Sequence, residues 1–267
     1  MIIKAAKITG TPFILILLLI VAPAHSHEFW LETSNYQPKI AEELPITLHL
    51  GEFFKGVSLP YLQDEFVLFQ THTGNTTTSL KGLNGDLPAA RFAIFRPGLT
   101  LVTYRSAPSD IKFKEWEVFE SYLQSQGLEH IIQNHVRSGK PIKDITELYE
   151  RNAKLLIGVG AAGQDRKTGL PLEIVAERNP YNLDRGSALS VRLFYNGKPL
   201  AGSQITVFAK AKPTHPLKVR TDAMGRAKIQ LPHSGAWLLS SVHMVAPSAA
   251  QNVHWYSYWA SLVFFRP

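Results

Sequence analysis

The chain has 267 residues, a formal net charge of +7 and no cysteine. The missing thiols exclude zinc–thiolate sites, iron–sulfur clusters and cysteine nucleophiles, and they predict a fold held by its core without disulfides. Lys and Arg are scattered rather than gathered into a stripe interleaved with aromatics, which argues against nucleic acid as a partner.

Lys4 and Lys7 precede an apolar run at 13–22, the pattern of a secretory leader and too short to span a bilayer. Ala22 with Ala24, and Ala24 with Ser26, each satisfy a small-x-small cleavage rule. A signal peptide is therefore expected over 1–26, cleaved after Ala24 or Ser26, with export to the periplasm. No later segment reaches the roughly 18 apolar residues of a membrane helix, so the mature chain is expected to be soluble.

Residues 27–109 read as β structure. Residues 46–50 alternate apolar and polar and stop at Gly51, 66–69 form a short apolar run, and 71–79 read as a polar loop or hairpin. Pro97-Gly98 marks a turn between runs at 91–95 and 99–104. The period then changes. Phe113, Trp116, Phe119 and Leu123 predict an amphipathic helix ended by Gly127, and Leu128, Ile131, Ile132 and Val136 predict a second. Asp144 with Glu147 resembles a capping box, predicting a third helix whose face is Ile145, Leu148, Asn152 and Leu155.

From Leu172 alternation returns, in strands separated by Asn196-Gly197, by the turn at 221–226 and by the turn at 232–235, with a last strand expected at 256–265. The predicted fold is mainly β: two Ig-like or transthyretin-like sandwich regions at 27–109 and 172–267, a helical insertion at 110–157 and a linker at 158–171. One continuous unit built from both β regions is the alternative. Gly158-Val159-Gly160-Ala161-Ala162-Gly163 mimics a dinucleotide fingerprint but precedes no apolar helix, so it reads as linker. No serine elbow, zinc-protease motif or P-loop is present, and the chain gives no sign of being an enzyme.

Histidine carries the chemistry. Cleavage after Ala24 would place His25 first and His27 third, an amine, amide and imidazole set suited to Cu(II) or Ni(II). Cleavage after Ser26 would let the His27 amine and ring chelate one ion, with one more imidazole completing a three-nitrogen brace. His243 and then His254 are the candidate second ligands. His49 is the third candidate but is expected to face outward with Thr47; His72 and His215 read as surface residues, and His233 lies in a turn without a neighbour. His130 and His135 lie five apart on a predicted helix and cannot share an ion. Glu28 and Glu32 fall on one face of the first strand with Trp30. Trp255 and Trp259 fall on one face of the last strand and Tyr256 and Tyr258 on the other, one of these faces being core.

The segment from His27 to Glu32, the stretches at 119–128 and 147–154, the turns at 197–202 and 221–227, the Gly235-Ala236-Trp237-Leu238-Leu239 run followed by His243, and the segment at 255–262 together resemble the bacterial periplasmic family called domain of unknown function 4198, associated with nickel uptake. The resemblance implies one or two Ig-like sandwiches and the handling of a transition metal outside the inner membrane. It also places His243 where the family tends to carry a histidine. The expected function is binding of nickel or copper as an accessory to uptake or trafficking, with an inner-membrane metal transporter as partner. The alternatives are a non-metal structural or carbohydrate/protein-binding module of the envelope, and a copper-dependent oxidative enzyme built on the brace.

Overall fold

The computed structural model describes residues 27–184 and 186–267; the leader expected over 1–26, His25 included, lies outside the described residues. In chain order the first half forms β1 (Glu28–Thr33), β2 (Glu43–Glu52), β3 (Lys55–Leu59), β4 (Phe66–Thr73), β5 (Thr76–Ser79), β6 (Ala90–Ala93), β7 (Gly98–Ser106) and β8 (Ser109–Glu115). Two helices follow, α1 (Trp116–Ser125) and α2 (Glu129–Arg137), and then the long β9 (Lys143–Val159). The second half adds β10 (Leu172–Ala176), β11 (Ala188–Tyr195), β12 (Lys198–Pro199), β13 (Gln204–Ala209), β14 (Lys212–Arg220), β15 (Arg226–Gln230), β16 (Gly235–Val245) and β17 (Trp255–Arg266). The fold is mainly β, as predicted. Among the described residues no helix is long and apolar enough to cross a membrane.

The two sandwich regions share a sheet. A central nine-stranded sheet runs β14-β13-β16-β17-β9-β7-β4-β5, with β8 also on β9, so both halves of the chain contribute to it. The halves meet where β9 and β17 pair in parallel. Strand alternation sends Val102, Leu155, Ile157, Leu238 and Val263 to one face, against β1, β2 and β6. It sends Leu101, Leu156, Val207, Leu239 and Leu262 to the other face, against β10, β11 and β15. A strand covered on both faces needs a continuous apolar run, and residues 155–159 of β9 supply one. Each such side chain contributes about 1.5–3 kcal/mol on burial.

The predicted third helix is a strand. Residues 143–159 form β9, hydrogen-bonded to β7 and β8 on one side and β17 on the other. The capping-box pattern and the spacing of Ile145, Leu148 and Leu155 are local signals. They lose to a ladder on both edges of the strand and to the two-sided burial of residues 155–159. Phe113, assigned to the first helix, lies in β8. The remaining two helices form as predicted, with Phe119, Tyr122 and Leu123 of α1 and Ile131 of α2 packed on Phe113, Ile145, Val242, Met244 and Trp255, although Val136, expected on the apolar face of the second, is exposed. These helices therefore cover one end of the same face that β1 and β2 cover at the other end. Asn196 and Gly197, with φ of 48° and 75°, make the two-residue turn between β11 and β12.

Candidate functional site

His27 stands immediately before β1, with its side chain 59% exposed and its Nε2 3.5 Å from Glu52 Oε1. Antiparallel pairing brings this about, because Glu28 lies opposite Gly51 and the end of β2 therefore flanks the start of β1. Glu28 is buried. Burial, followed by the nearby Glu52 charge, pushes its carboxyl up to about 7 against backbone hydrogen bonds from Glu28 and Phe53. Its Oε2 has no hydrogen-bond partner. At the head of β1, then, His27 stands beside Glu52, and the next residue along is the buried Glu28.

Glu32 is on the face predicted for it, but its oxygens are taken. It accepts from Trp30 Nε1 at 3.2 Å and pairs with Lys210. His49 shares that outer face with Thr47, as expected, bonding Thr47 Oγ1 at 2.8 Å and stacking on Trp30 with ring centroids 5.3 Å apart.

The proposed second ligands lie elsewhere. His243 sits on the face of the central sheet opposite β1, its ring 4.5 Å from that of Tyr195. Burial, then the charge of His130, lowers its pKa to about 4, so the imidazole is neutral near pH 7. The sheet itself separates His243 from His27. His254 is engaged by Thr146, whose backbone N–H donates to Nδ1 at 2.9 Å. With Nδ1 accepting, Nε2 carries the single ring proton of the neutral form, leaving no lone pair for a metal. Neither histidine completes a brace with His27. Among the described residues no group of three or more His, Asp or Glu is arranged to hold a metal ion.

His130 and His135 are apart, as the helical spacing required: His130 is exposed and His135 fully buried. His135 uses both nitrogens, donating from Nε2 to Pro141 O at 3.0 Å and accepting at Nδ1 from Trp255 Nε1 at 2.9 Å. His72 is buried, not at the surface. It lies in β4, buried between Thr77 and Thr103, because the polar stretch after residue 70 is a hairpin packed on β7 rather than a solvated loop.

Three polar networks were not legible in the sequence. Glu147, buried beneath α1, accepts from Tyr122 at 3.2 Å and from Ser257, and burial pushes its carboxyl up to about 7. Lys154 of β9 meets Asp165 and Glu173 in the interior. Arg105 of β7 bonds Glu150 of β9 at 2.7 Å, and Tyr256 donates to the same carboxylate. A charged residue inside an apolar strand signals such a network, but only for a segment already recognised as a strand.

The Arg105 network borders an open cleft. β10 and β11 cover only part of their face of the central sheet. Beyond them lies a half-open cavity of about 550 Å³ lined by Arg105, Lys167, Glu173, Asn196, Gly197 and Tyr258. His243, Tyr258 and Glu150 form a cross-strand row on β16, β17 and β9. Tyr195 caps the row, its ring 5.2 Å from that of Tyr258. The alternation in β17 holds, with Trp255 in the core under the helices and Tyr256 and Tyr258 on the opposite face.

Residues 24–245 match the family model described as Domain of unknown function (DUF4198), and the chain belongs to that family. No curated protein matches the chain. Among solved structures, the D0-D1 domain of Intimin aligns over 89% of this chain and 97% of that chain, at 13% identity and a TM-score of 0.20.

Proposed function

We propose that this member of the DUF4198 family is an exported protein that binds nickel or copper at its amino-terminal histidine, as an accessory to metal uptake or trafficking. The observation that carries the reading is the His27 imidazole, exposed at the head of β1 and 3.5 Å from Glu52, with the partnerless Oε2 of buried Glu28 on the next residue. Cleavage after Ser26 would add the His27 α-amine, so that amine and ring nitrogen chelate one ion while the carboxylates balance its charge. Cleavage after Ala24 would instead recruit His25 and two backbone amides. Nitrogen-rich sets of either kind suit Cu(II) and Ni(II). A cation beside Glu28 favours its ionised form, so binding near neutral pH releases a proton.

The test is a competition titration with Cu(II) and with Ni(II) on protein exported and cleaved in a Gram-negative host, beside a version with one extra Ala before the mature terminus. Tight binding abolished by the extra Ala supports the reading. Weak binding indifferent to it overturns the reading. A second reading, an envelope module that binds carbohydrate or protein, draws support from the open cleft of Arg105, Tyr195 and Tyr258. Loss of glycan or protein capture on Tyr258→Ala, with metal affinity unchanged, would favour it.

A further inference from the structure

We propose that Lys154 and Asp165 condense to an intramolecular amide, with Glu173 as the proton carrier, so that a covalent bond ties β9 of the central sheet to the connection that leads into β10. Lys154 Nζ lies 2.9 Å from Asp165 Oδ1 and 2.9 Å from Glu173 Oε1, and the three side chains are 1%, 0% and 2% exposed. The carboxylates are held still. Asp165 accepts from Arg166 N at 2.8 Å and from Ala176 N at 2.7 Å. Glu173 accepts from Thr168 N and Oγ1, each at 2.8 Å, and from Gly169 N at 3.3 Å. An amine fixed against a carboxyl in a closed site has the entropy of encounter already removed.

The surroundings favour the reaction in two ways. Two backbone N–H groups point at the Asp165 oxygens, where negative charge develops when an amine adds to the carboxyl carbon. Exclusion of water lets an amide, once formed, persist. Burial pushes the Asp165 carboxyl up despite the Lys154 charge, whereas for Lys154 burial is outweighed by the two carboxylates. The reaction begins when a proton passes from Nζ to Asp165, which converts this buried pair to a neutral amine and acid.

The balance closes within the triad. Asp165 takes one proton from the ammonium, and the neutral amine forms the N–C bond at Asp165 Cγ. Glu173 removes a second proton from that nitrogen and returns it to the departing hydroxyl. The C–O bond breaks and one water leaves, with Glu173 restored as carboxylate. Antibody-type sandwiches commonly join their two sheets with a disulfide. This chain has no cysteine, and an amide from Lys154 would tie the central strand β9 to the connection that leads into β10, whose Ala176 N–H already holds the Asp165 carboxylate.

The experiment is the intact mass of the denatured full chain after export, followed by protease digestion. The proposal expects a mass one water below that of the cleaved sequence and a branched peptide joining the Lys154 and Asp165 segments. Asp165→Asn would lose one ammonia instead of one water. Glu173→Gln, with its fold checked by circular dichroism, would retain the full mass. Wild-type protein at full mass, or a water loss that maps to other residues, overturns the proposal and leaves a non-covalent ion cluster. Because the wild-type mass decides on its own, a variant that fails to fold does not blunt the test.

Discussion

Arg105 donates its Nε to Glu150 at 2.7 Å across the β7 and β9 strands, at the margin of the open cleft. The Arg105 side chain is 31% exposed and the Glu150 side chain 5%, so the arginine satisfies a carboxylate that water barely reaches. Arg105→Ala leaves that charge with Tyr256 as its remaining donor. The expected cost is about 1.5–3 kcal/mol, measured by urea unfolding, because a carboxylate that water barely reaches loses a hydrogen bond from a charged donor. Adding Glu150→Gln to Arg105→Ala should recover part of the loss; a further drop would show that the pair is not electrostatically coupled.

Stability should show two opposing pH slopes. Burial gives Glu147 a folded value of about 7 against an ordinary carboxyl value of 4.5. The folded state therefore holds the extra proton between those values, and stability falls as pH rises through that window, by about 3 kcal/mol in all. His243 has a folded value of about 4 against 6.5. The unfolded chain takes that proton first, so stability is lost as pH falls from 6.5 toward 4. Glu147→Gln should thus tilt the profile toward rising with pH and His243→Gln toward falling. Urea midpoints across this range decide the matter, and identical profiles for the two variants would refute the assignment.

His27 and His254 should separate metal binding from folding. His27→Ala is expected to weaken Cu(II) and Ni(II) binding at least about tenfold, a loss of about 1.4 kcal/mol, with little change in thermal stability. His254→Ala should leave metal affinity intact and cost about 1–3 kcal/mol, since the Thr146 N–H loses its acceptor in a part-buried position. The reverse pattern would move the metal site to the helical end of the molecule.

Gly158 is required by its neighbour rather than by its backbone angle. A Cβ there would stand 2.8 Å from the Tyr181 ring. Tyr181 cannot easily withdraw, because its hydroxyl donates to Leu156 O at 2.8 Å. Gly158→Ala is expected to cost about 1–3 kcal/mol by overpacking. Combined with Tyr181→Leu it should cost less than the sum of the two single changes; strict additivity would show that the two sites do not touch.

The sequence by itself determined much of the strand content, both helices of the insertion, the Asn196-Gly197 turn, the two faces of β17 and the family. All of these rest on short-range patterns: alternation, helical spacing and turn chemistry act over a few residues and survive without knowledge of partners. The tertiary structure alone decided that residues 143–159 form a strand, because a ladder on each edge and burial on both faces outweigh a local capping pattern. It also decided the histidines. His243 and His27 lie on opposite faces of the central sheet, and His254 spends its lone pair on Thr146, 108 positions away in sequence. Lys154, Asp165 and Glu173 meet for the same reason. Which charged groups share an interior is set by the register and stacking of sheets, interactions between residues far apart along the chain that no local window contains.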